Sequence, residues 1–464
     1  MIFPQGFLNS LVGCNGFDLN DFVEAHTHEG VISIRMNEAK INHLVDADSA
    51  FSSIQEGIFN SNNIKGKVPW SNAGKYLKKR PSYTLDPLFH AGLYYVQEAS
   101  SMFIEHIIRV SLPKKQTMTA LDLCASPGGK TTLLASLPNF RLVLANEIIQ
   151  TRVGPLFENV VKWGAPHVFV SNNDPKDFAK LGQFFDLVLV DAPCSGSGLF
   201  RKDPHAREMW NDGLVEFCSL RQKRILGDAV NVLADNGYLL YSTCSFSHEE
   251  NEMNLDHLVE AYGLESVKVE VPDNWGVVES QSTTHKAFGY RFYPGKLDGE
   301  GFFCALLKKT SSNGRVGSVS KGGVQQSYKC NIEKWLENSS ELFFSLYNDD
   351  LFAVQANLIA DVAMFQQALH LKKSGVRMGA MIRGELNPDH ELAMSLLGSS
   401  QIKRQELTHE QALVFLKKEK LDIPFEEKGW IIMTYMGAPL GWIKAMEGRS
   451  NNYYPKNWRI TMRS

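Results

Sequence analysis

Two cysteines stand in polar turns that each close a short apolar run: Cys194 in Asp191-Ala192-Pro193-Cys194-Ser195-Gly196, and Cys244 in Ser242-Thr243-Cys244-Ser245. The thiolate is the nucleophilic form of cysteine, and a placed thiol lets one hard transfer be split into two easier covalent steps. The apolar runs, residues 187–190 and 238–241, read as strands. In an open parallel sheet, reactive groups gather where strands end. Upstream lies Leu121-Asp122-Leu123-Cys124-Ala125-Ser126-Pro127-Gly128-Gly129-Lys130-Thr131-Thr132, which reads as a strand, a glycine-rich turn and a helix start. Such a turn cradles a nucleotide-like cofactor, so Cys124, Ala125, Ser126, Pro127, Gly128, Gly129 and Lys130 are candidate binding residues. Glu147 falls about twenty residues beyond the turn, where an acidic side chain bonds vicinal ribose hydroxyls. Asp174, after the following strand, is the candidate for an adenine amino group, and Asp191 ends the apolar run that precedes Cys194.

Gly128-Gly129-Lys130-Thr131 also resembles the end of a phosphate-binding P-loop. That loop needs a glycine where this chain has Cys124, so the nucleotide-hydrolase reading fails at the tight turn.

These residues need a sheet to hold them. Strand-like runs at 120–123, 142–146, 168–171, 186–190 and 238–242 alternate with helical stretches, the pattern of an α/β fold with a parallel sheet and crossover helices. A further run, 301–307, is expected antiparallel at an edge, after an apparently looped segment 290–295. The stretch from Lys309 to Ser327 is almost entirely Ser, Gly, Lys, Asn, Gln and Val, too poor in large apolar residues to pack. The expected domains are residues 1–110, 111–309, a linker 310–327, a mixed α/β extension 328–400 with a helix over 359–371, and a module 401–464 with strands at 429–436 and 440–446.

Composition narrows the class. With 464 residues, 44% of them hydrophobic and 11% aromatic, the chain has ample material for packed cores. No apolar run approaches the roughly 18 residues of a membrane span, and the start of the chain lacks a signal-peptide pattern, so a cytoplasmic protein is expected. Seven cysteines without Cys-x-x-Cys spacing support neither a disulfide framework nor a zinc site. A formal net charge of −3 leaves nucleic-acid binding to local basic faces.

The glycine turn, the Asp191–Gly198 segment (Asp191-Ala192-Pro193-Cys194-Ser195-Gly196-Ser197-Gly198), Arg201-Lys202-Asp203-Pro204 and the Cys244 turn together resemble the RNA 5-methylcytosine methyltransferases of the Sun-protein family. Gly92-Leu93-Tyr94-Tyr95-Val96-Gln97-Glu98 is similar to the segment before that family's catalytic domain, and Ser33-Ile34-Arg35-Met36-Asn37 to its N-terminal RNA-binding region. Pro439-Leu440-Gly441-Trp442-Ile443-Lys444 and the run from Asn452 to Arg459 are similar to the C-terminal part of its bacterial ribosomal RNA branch. One departure is Pro175, where many relatives place glycine, which touches the Asp174 contact.

The resemblance implies a Rossmann-like S-adenosyl-L-methionine-dependent methyltransferase sheet, an N-terminal RNA-binding region and a C-terminal PUA-like α+β region. It implies rRNA processing on 16S ribosomal RNA or the assembled 30S subunit by a monomeric enzyme, with transfer RNA as the alternative substrate. It also ranks the thiols, which the residues alone do not: Cys244 as nucleophile, Cys194 assisting release, with Asp191 and Lys130 completing the catalytic set. An inactive RNA-binding protein would lack one thiol. Cys14, Cys218, Cys304 and Cys330 read as small buried hydrophobes, and Glu249, Glu250 and Glu252 as a helix's first turn without a catalytic role. Lys75, Lys78, Lys79 and Arg80 with Trp70 and Tyr76, and Trp442, Lys444, Arg449, Tyr453, Tyr454, Lys456, Trp458 and Arg459, mix cationic and stacking groups as RNA contacts do. The bland alternative makes the aromatics core and the charges a solvated face.

Overall fold

The computed structural model describes residues 3–45, 63–114, 117–310, 332 and 334–462. The linker beyond Thr310, and Cys330, lie outside these residues.

Five strands run parallel at the centre of a ten-stranded sheet, in the order Leu233–Thr243, Phe185–Asp191, Met118–Asp122, Phe140–Asn146 and Val168–Ser171. Their residues are buried on both faces, as near-continuous Val/Leu-rich runs require when helices cover a parallel sheet on each side. Strand order reverses between Met118–Asp122 and Phe185–Asp191. That switch point opens a crevice at the carboxyl ends of both strands, which is where open α/β sheets bind ligands.

Phe302–Lys308 pairs antiparallel with Leu233–Thr243, as its pattern predicts, but it is no edge. Phe288–Phe292 pairs on its far side and Val278–Gln281 beyond that. The looped reading of 290–292 is therefore corrected. Arg291 gave that segment a polar look, yet its guanidinium is buried and ion-paired with Glu252. Gly289 is also needed in the strand, because a Cβ there would come within 2.5 Å of the Phe303 ring.

The extension is tied to this sheet. Helix Ile359–Ala368 lays Val362 and Phe365 on the core that holds Phe169, Phe178 and Phe185, and Leu371–Lys373 adds an antiparallel edge strand beside Val168–Ser171. Two other four-stranded sheets lie at the chain's two ends, Ile64–Lys67, Gly74–Leu77, Ile32–Met36 and Tyr94–Val96 in one, and Arg404–Glu406, Gly429–Tyr435, Ala438–Met446 and Arg449–Asn452 in the other. They share one core, in which Ile34, Leu77 and Tyr94 join Phe415, Ile431, Ile443 and Tyr454. The fourth sheet belongs to the extension. Among the described residues no helix is long and apolar enough to cross a membrane.

Burial corrects part of the expected RNA face. Trp70, Tyr76, Trp442 and Tyr454 are core side chains and cannot stack on a base, whereas Lys78, Lys79, Arg80, Arg449, Tyr453, Lys456 and Arg459 are exposed. The Ser33–Asn37 motif is likewise interior. Arg35 is 1% exposed, stacks on Trp163 at 4.4 Å, and donates to Gln97 Oε1 and to Thr132 Oγ1 and Gly129 O of the helix Gly129–Ala135. It is a bracket between the N-terminal sheet and the helix that follows the glycine turn.

Candidate active site

The glycine turn leaves the strand Met118–Asp122 and enters the helix Gly129–Ala135 through Gly128, whose φ of 110° an L side chain rarely adopts. A Cβ on Gly129 would press Tyr95 Cε1 at 3.1 Å. Ser126 and Pro127 are pinned from outside, by Arg152 donating to Ser126 O at 2.8 Å and Asn159 to Pro127 O at 2.9 Å. These contacts brace the turn from outside.

Two clefts meet at this turn. One is lined by Tyr95, Glu98, Asp122, Ala125, Lys130 and Asp191, and the other by Leu123, Glu147, Pro175, Pro193 and Arg221; Cys124 borders both. Glu147 is buried, held by the Ile149 N–H at 2.9 Å and 3.5 Å from Arg152. Asp174 caps the 3-10 helix Pro175–Leu181 through the Lys176 N–H, beside the second cleft. The donor set fits S-adenosylmethionine, which brings an ammonium, a ribose diol and an adenine. Asp122 Oδ1 is buried with no hydrogen-bond partner among the described residues, while Oδ2 accepts from Thr131 at 2.6 Å. Burial pushes the Asp122 carboxyl up to about 7, with the Thr131 hydrogen bond opposing and the Asp191 charge adding to the rise. A cationic donor in that cleft would complete it.

Across the switch point, Asp191 ends its strand with Oδ1 accepting from Ser242 Oγ at 2.8 Å and Oδ2 2.7 Å from Lys130 Nζ. Burial pulls the Lys130 ammonium down, but the charge and hydrogen bond of Asp191 outweigh it and hold the group above its ordinary value; Cys244 also contributes. Beyond that pair the two sulfurs, Cys194 Sγ and Cys244 Sγ, lie 3.2 Å apart, each half-buried. Cys194 is raised well above an ordinary thiol, first by its hydrogen bond to Cys244, then by burial and by the charges of Cys244 and Glu250. Cys124, which borders both clefts, is also raised, first by burial. Lys130, Asp191, Cys194 and Cys244 are therefore brought together, with the cofactor candidates beside them.

Residues 109–308 match the family described as 16S rRNA methyltransferase RsmB/F, residues 3–99 the N-terminal domain of 16S rRNA methyltransferase RsmF, and residues 403–460 the methyltransferase RsmF PUA domain. A ribosomal RNA small subunit methyltransferase F of Aliivibrio fischeri is 30% identical over 84% of each chain. The chain belongs to the RsmB/F methyltransferase family.

Another relative of the same name, from Vibrio vulnificus, is 28% identical over 98% of this chain and 97% of its own. A solved methyltransferase homologue from Pyrococcus horikoshii is 26% identical with a TM-score of 0.50, covering 66% of this chain and 99% of its own. As an RsmB/F methyltransferase the protein is an S-adenosylmethionine-dependent enzyme with a PUA domain at its C-terminal end, and the Sun-family resemblance is borne out.

Two acidic residues of this RsmB/F site escaped the sequence reading. Asp122 had a signal, an acid at the end of the first strand. Glu250 was assigned with Glu249 and Glu252 to a helix's first turn, but the helix starts at Glu252, Glu252 is paired with Arg291, and Glu250 is buried beneath the thiols. Only Glu249 is exposed.

Proposed function

We propose that this RsmB/F enzyme methylates carbon 5 of a cytosine in 16S ribosomal RNA, within the small subunit, working in the cytoplasm as a monomer and through a covalent adduct to Cys244. The observation that carries the reading is the pair of sulfurs 3.2 Å apart beside the Lys130–Asp191 ion pair at the switch point. The match of residues 403–460 to an RsmF PUA domain supports the ribosomal substrate.

Carbon 5 of cytosine is a poor nucleophile, so the Cys244 thiolate adds first to carbon 6 and the ring electrons shift toward carbon 5. The proton that the Cys244 thiol gives up is taken by the ring nitrogen at the base edge that Asp191 bonds, and Lys130 holds Asp191 in place. When bound, S-adenosylmethionine supplies the methyl group that carbon 5 takes. A water molecule then takes the proton from carbon 5, its bonding electrons re-form the double bond to carbon 6 as the carbon 6 to sulfur bond breaks, and Cys244 leaves with the proton returned by the ring nitrogen. Cys194, held protonated in the free enzyme, assists this release from the adjacent sulfur position. Asp122, Glu147 and Asp174 would hold the cofactor's ammonium, ribose diol and adenine amino group, and residues Cys124 to Lys130 its walls. A stacked base is out of reach of all these groups, so the target is exposed or flipped.

The test is incubation with radiolabelled S-adenosylmethionine and, separately, transfer RNA, free 16S RNA and 30S subunits lacking the modification. Label on a single cytosine of 16S RNA is expected, and label confined to transfer RNA would reject the ribosomal assignment.

A further inference from the structure

We infer that Glu250 is a positioning residue for the thiol pair: its carboxylate locks the two cysteine turns against each other and sets the approach of Cys194 to Cys244. The inference rests on the reading that both thiols act on one cytosine.

Glu250 is 0% exposed, and among the described residues no lysine, arginine or histidine is ion-paired with it. Every donor to its carboxylate instead comes from the thiol turns or from a residue bonded to them. Oε1 accepts from the Ser195 backbone N–H at 2.8 Å and from Gln222 Nε2 at 3.0 Å. Oε2 accepts from Ser195 Oγ at 2.6 Å and from Ser245 Oγ at 2.5 Å. Ser195 and Ser245 directly follow the two cysteines, so one side chain grips both turns one residue from each sulfur.

The platform beneath is equally committed. Gln222 Nε2 also donates to Pro193 O at 3.0 Å, ahead of Cys194. Tyr241 and Asn254 donate to the Glu250 backbone oxygen, and Asn254 donates to Gln222 Oε1 at 2.9 Å. Asn251, next in the chain, donates to Ser245 O at 2.8 Å and accepts from Thr243 Oγ1 at 2.7 Å. A carboxylate is suited to this place because it accepts on both oxygens from four donors, which a side chain with its own N–H cannot do.

The chemistry needs such a clamp. Carbon 6, where the nucleophile adds, and carbon 5, whose hydrogen must leave, are neighbours in one ring, so the sulfurs must stay side by side. Misplacement of a reacting group by about 1 Å costs on the order of 10²-fold in rate.

Glu250→Gln keeps the shape and gives up one acceptor, and Ser245→Ala removes a single arm should the first variant fail to fold. Two readouts apply to each. Diamide takes up the two thiol hydrogens and is itself reduced as Cys194 and Cys244 join, so the rate of disulfide formation, mapped on the linked peptide, measures their approach without any substrate. Steady-state methylation gives kcat and KM for RNA, with S-adenosylmethionine affinity measured alongside. Expected for Glu250→Gln are a cross-linking rate lowered about tenfold and a kcat lowered about 10²-fold, with KM and cofactor affinity within about twofold of wild type. Ser245→Ala should move cross-linking and kcat the same way by less. Wild-type cross-linking in both folded variants, or an unchanged kcat in both, would overturn the inference. If the wild-type enzyme methylates no RNA offered, the proposed function fails, while the cross-linking comparison still decides what Glu250 does.

Discussion

Lys130 sits where burial should strip its charge, and the 2.7 Å contact with Asp191 keeps it protonated. Replacing it with methionine leaves Asp191 with Ser242 alone and unanchored before the base. Lys130→Met should act chiefly on kcat, lowering it by about 10² to 10⁴, the span of a general acid–base contribution, while the altered wall of the cofactor cleft weakens S-adenosylmethionine binding by less; steady-state methyl transfer and a binding titration check this. Glu147→Ala should do the reverse, weakening cofactor binding about 10- to 100-fold through lost hydrogen bonds to a charged acceptor, while kcat at saturation is retained. The reactive side chains were legible because each announces itself locally: a cysteine in a polar turn, an acid at a strand end, a glycine pair before Lys130. Glu250 was not, because its donors lie 55 and 5 residues away along the chain and converge only in the fold.

Elements were legible where burial alone sets the pattern. The five parallel strands read directly as apolar runs, and the hairpin of Gly429–Tyr435 and Ala438–Met446 as two runs across a turn. The strand Phe288–Phe292 was missed because a buried ion pair put an arginine into it. Arg35 misled in the same way: a cation in a motif similar to an RNA-binding region proves to be interior, its guanidinium pulled down to about 10 by burial. Arg35→Met would strand Thr132, Ser136 and Gln97 without their partner and release the helix Gly129–Ala135 from the N-terminal sheet. It should cost about 2–4 kcal/mol in urea unfolding, as broken buried networks do, and raise the KM for S-adenosylmethionine because the glycine turn precedes that helix.

At the level of the whole molecule, the first and last sheets close on one core, an arrangement no local pattern reports because its partners are more than three hundred residues apart. His390 lies near that seam, edge-on to Tyr454 and Trp458, and neither ring nitrogen has a hydrogen-bond partner among the described residues. Burial, with the charges of Lys162, Lys40 and Lys418, pulls it down to about 3 from 6.5. Its folded value lies below its unfolded one, so between those values the unfolded chain binds the proton and the folded chain does not. Stability is therefore lost as pH falls below 6.5, by about 2 kcal/mol at pH 5 from this group. His390→Phe should remove that loss. Its Tm relative to wild type should be nearly constant above pH 7.5 and climb steadily from pH 6.5 to 5, and a difference that stays flat would show that His390 does not titrate this way.

On the proposed mechanism two adjacent thiols divide one reaction, and trapping of the protein–RNA adduct on denaturing gels separates their roles. With S-adenosylmethionine and substrate RNA, Cys244→Ala should form no adduct, whereas Cys194→Ala should methylate the base and then hold it, so that adduct accumulates above the wild-type level. Adduct in Cys244→Ala together with none in Cys194→Ala would make Cys194 the nucleophile and overturn the assignment.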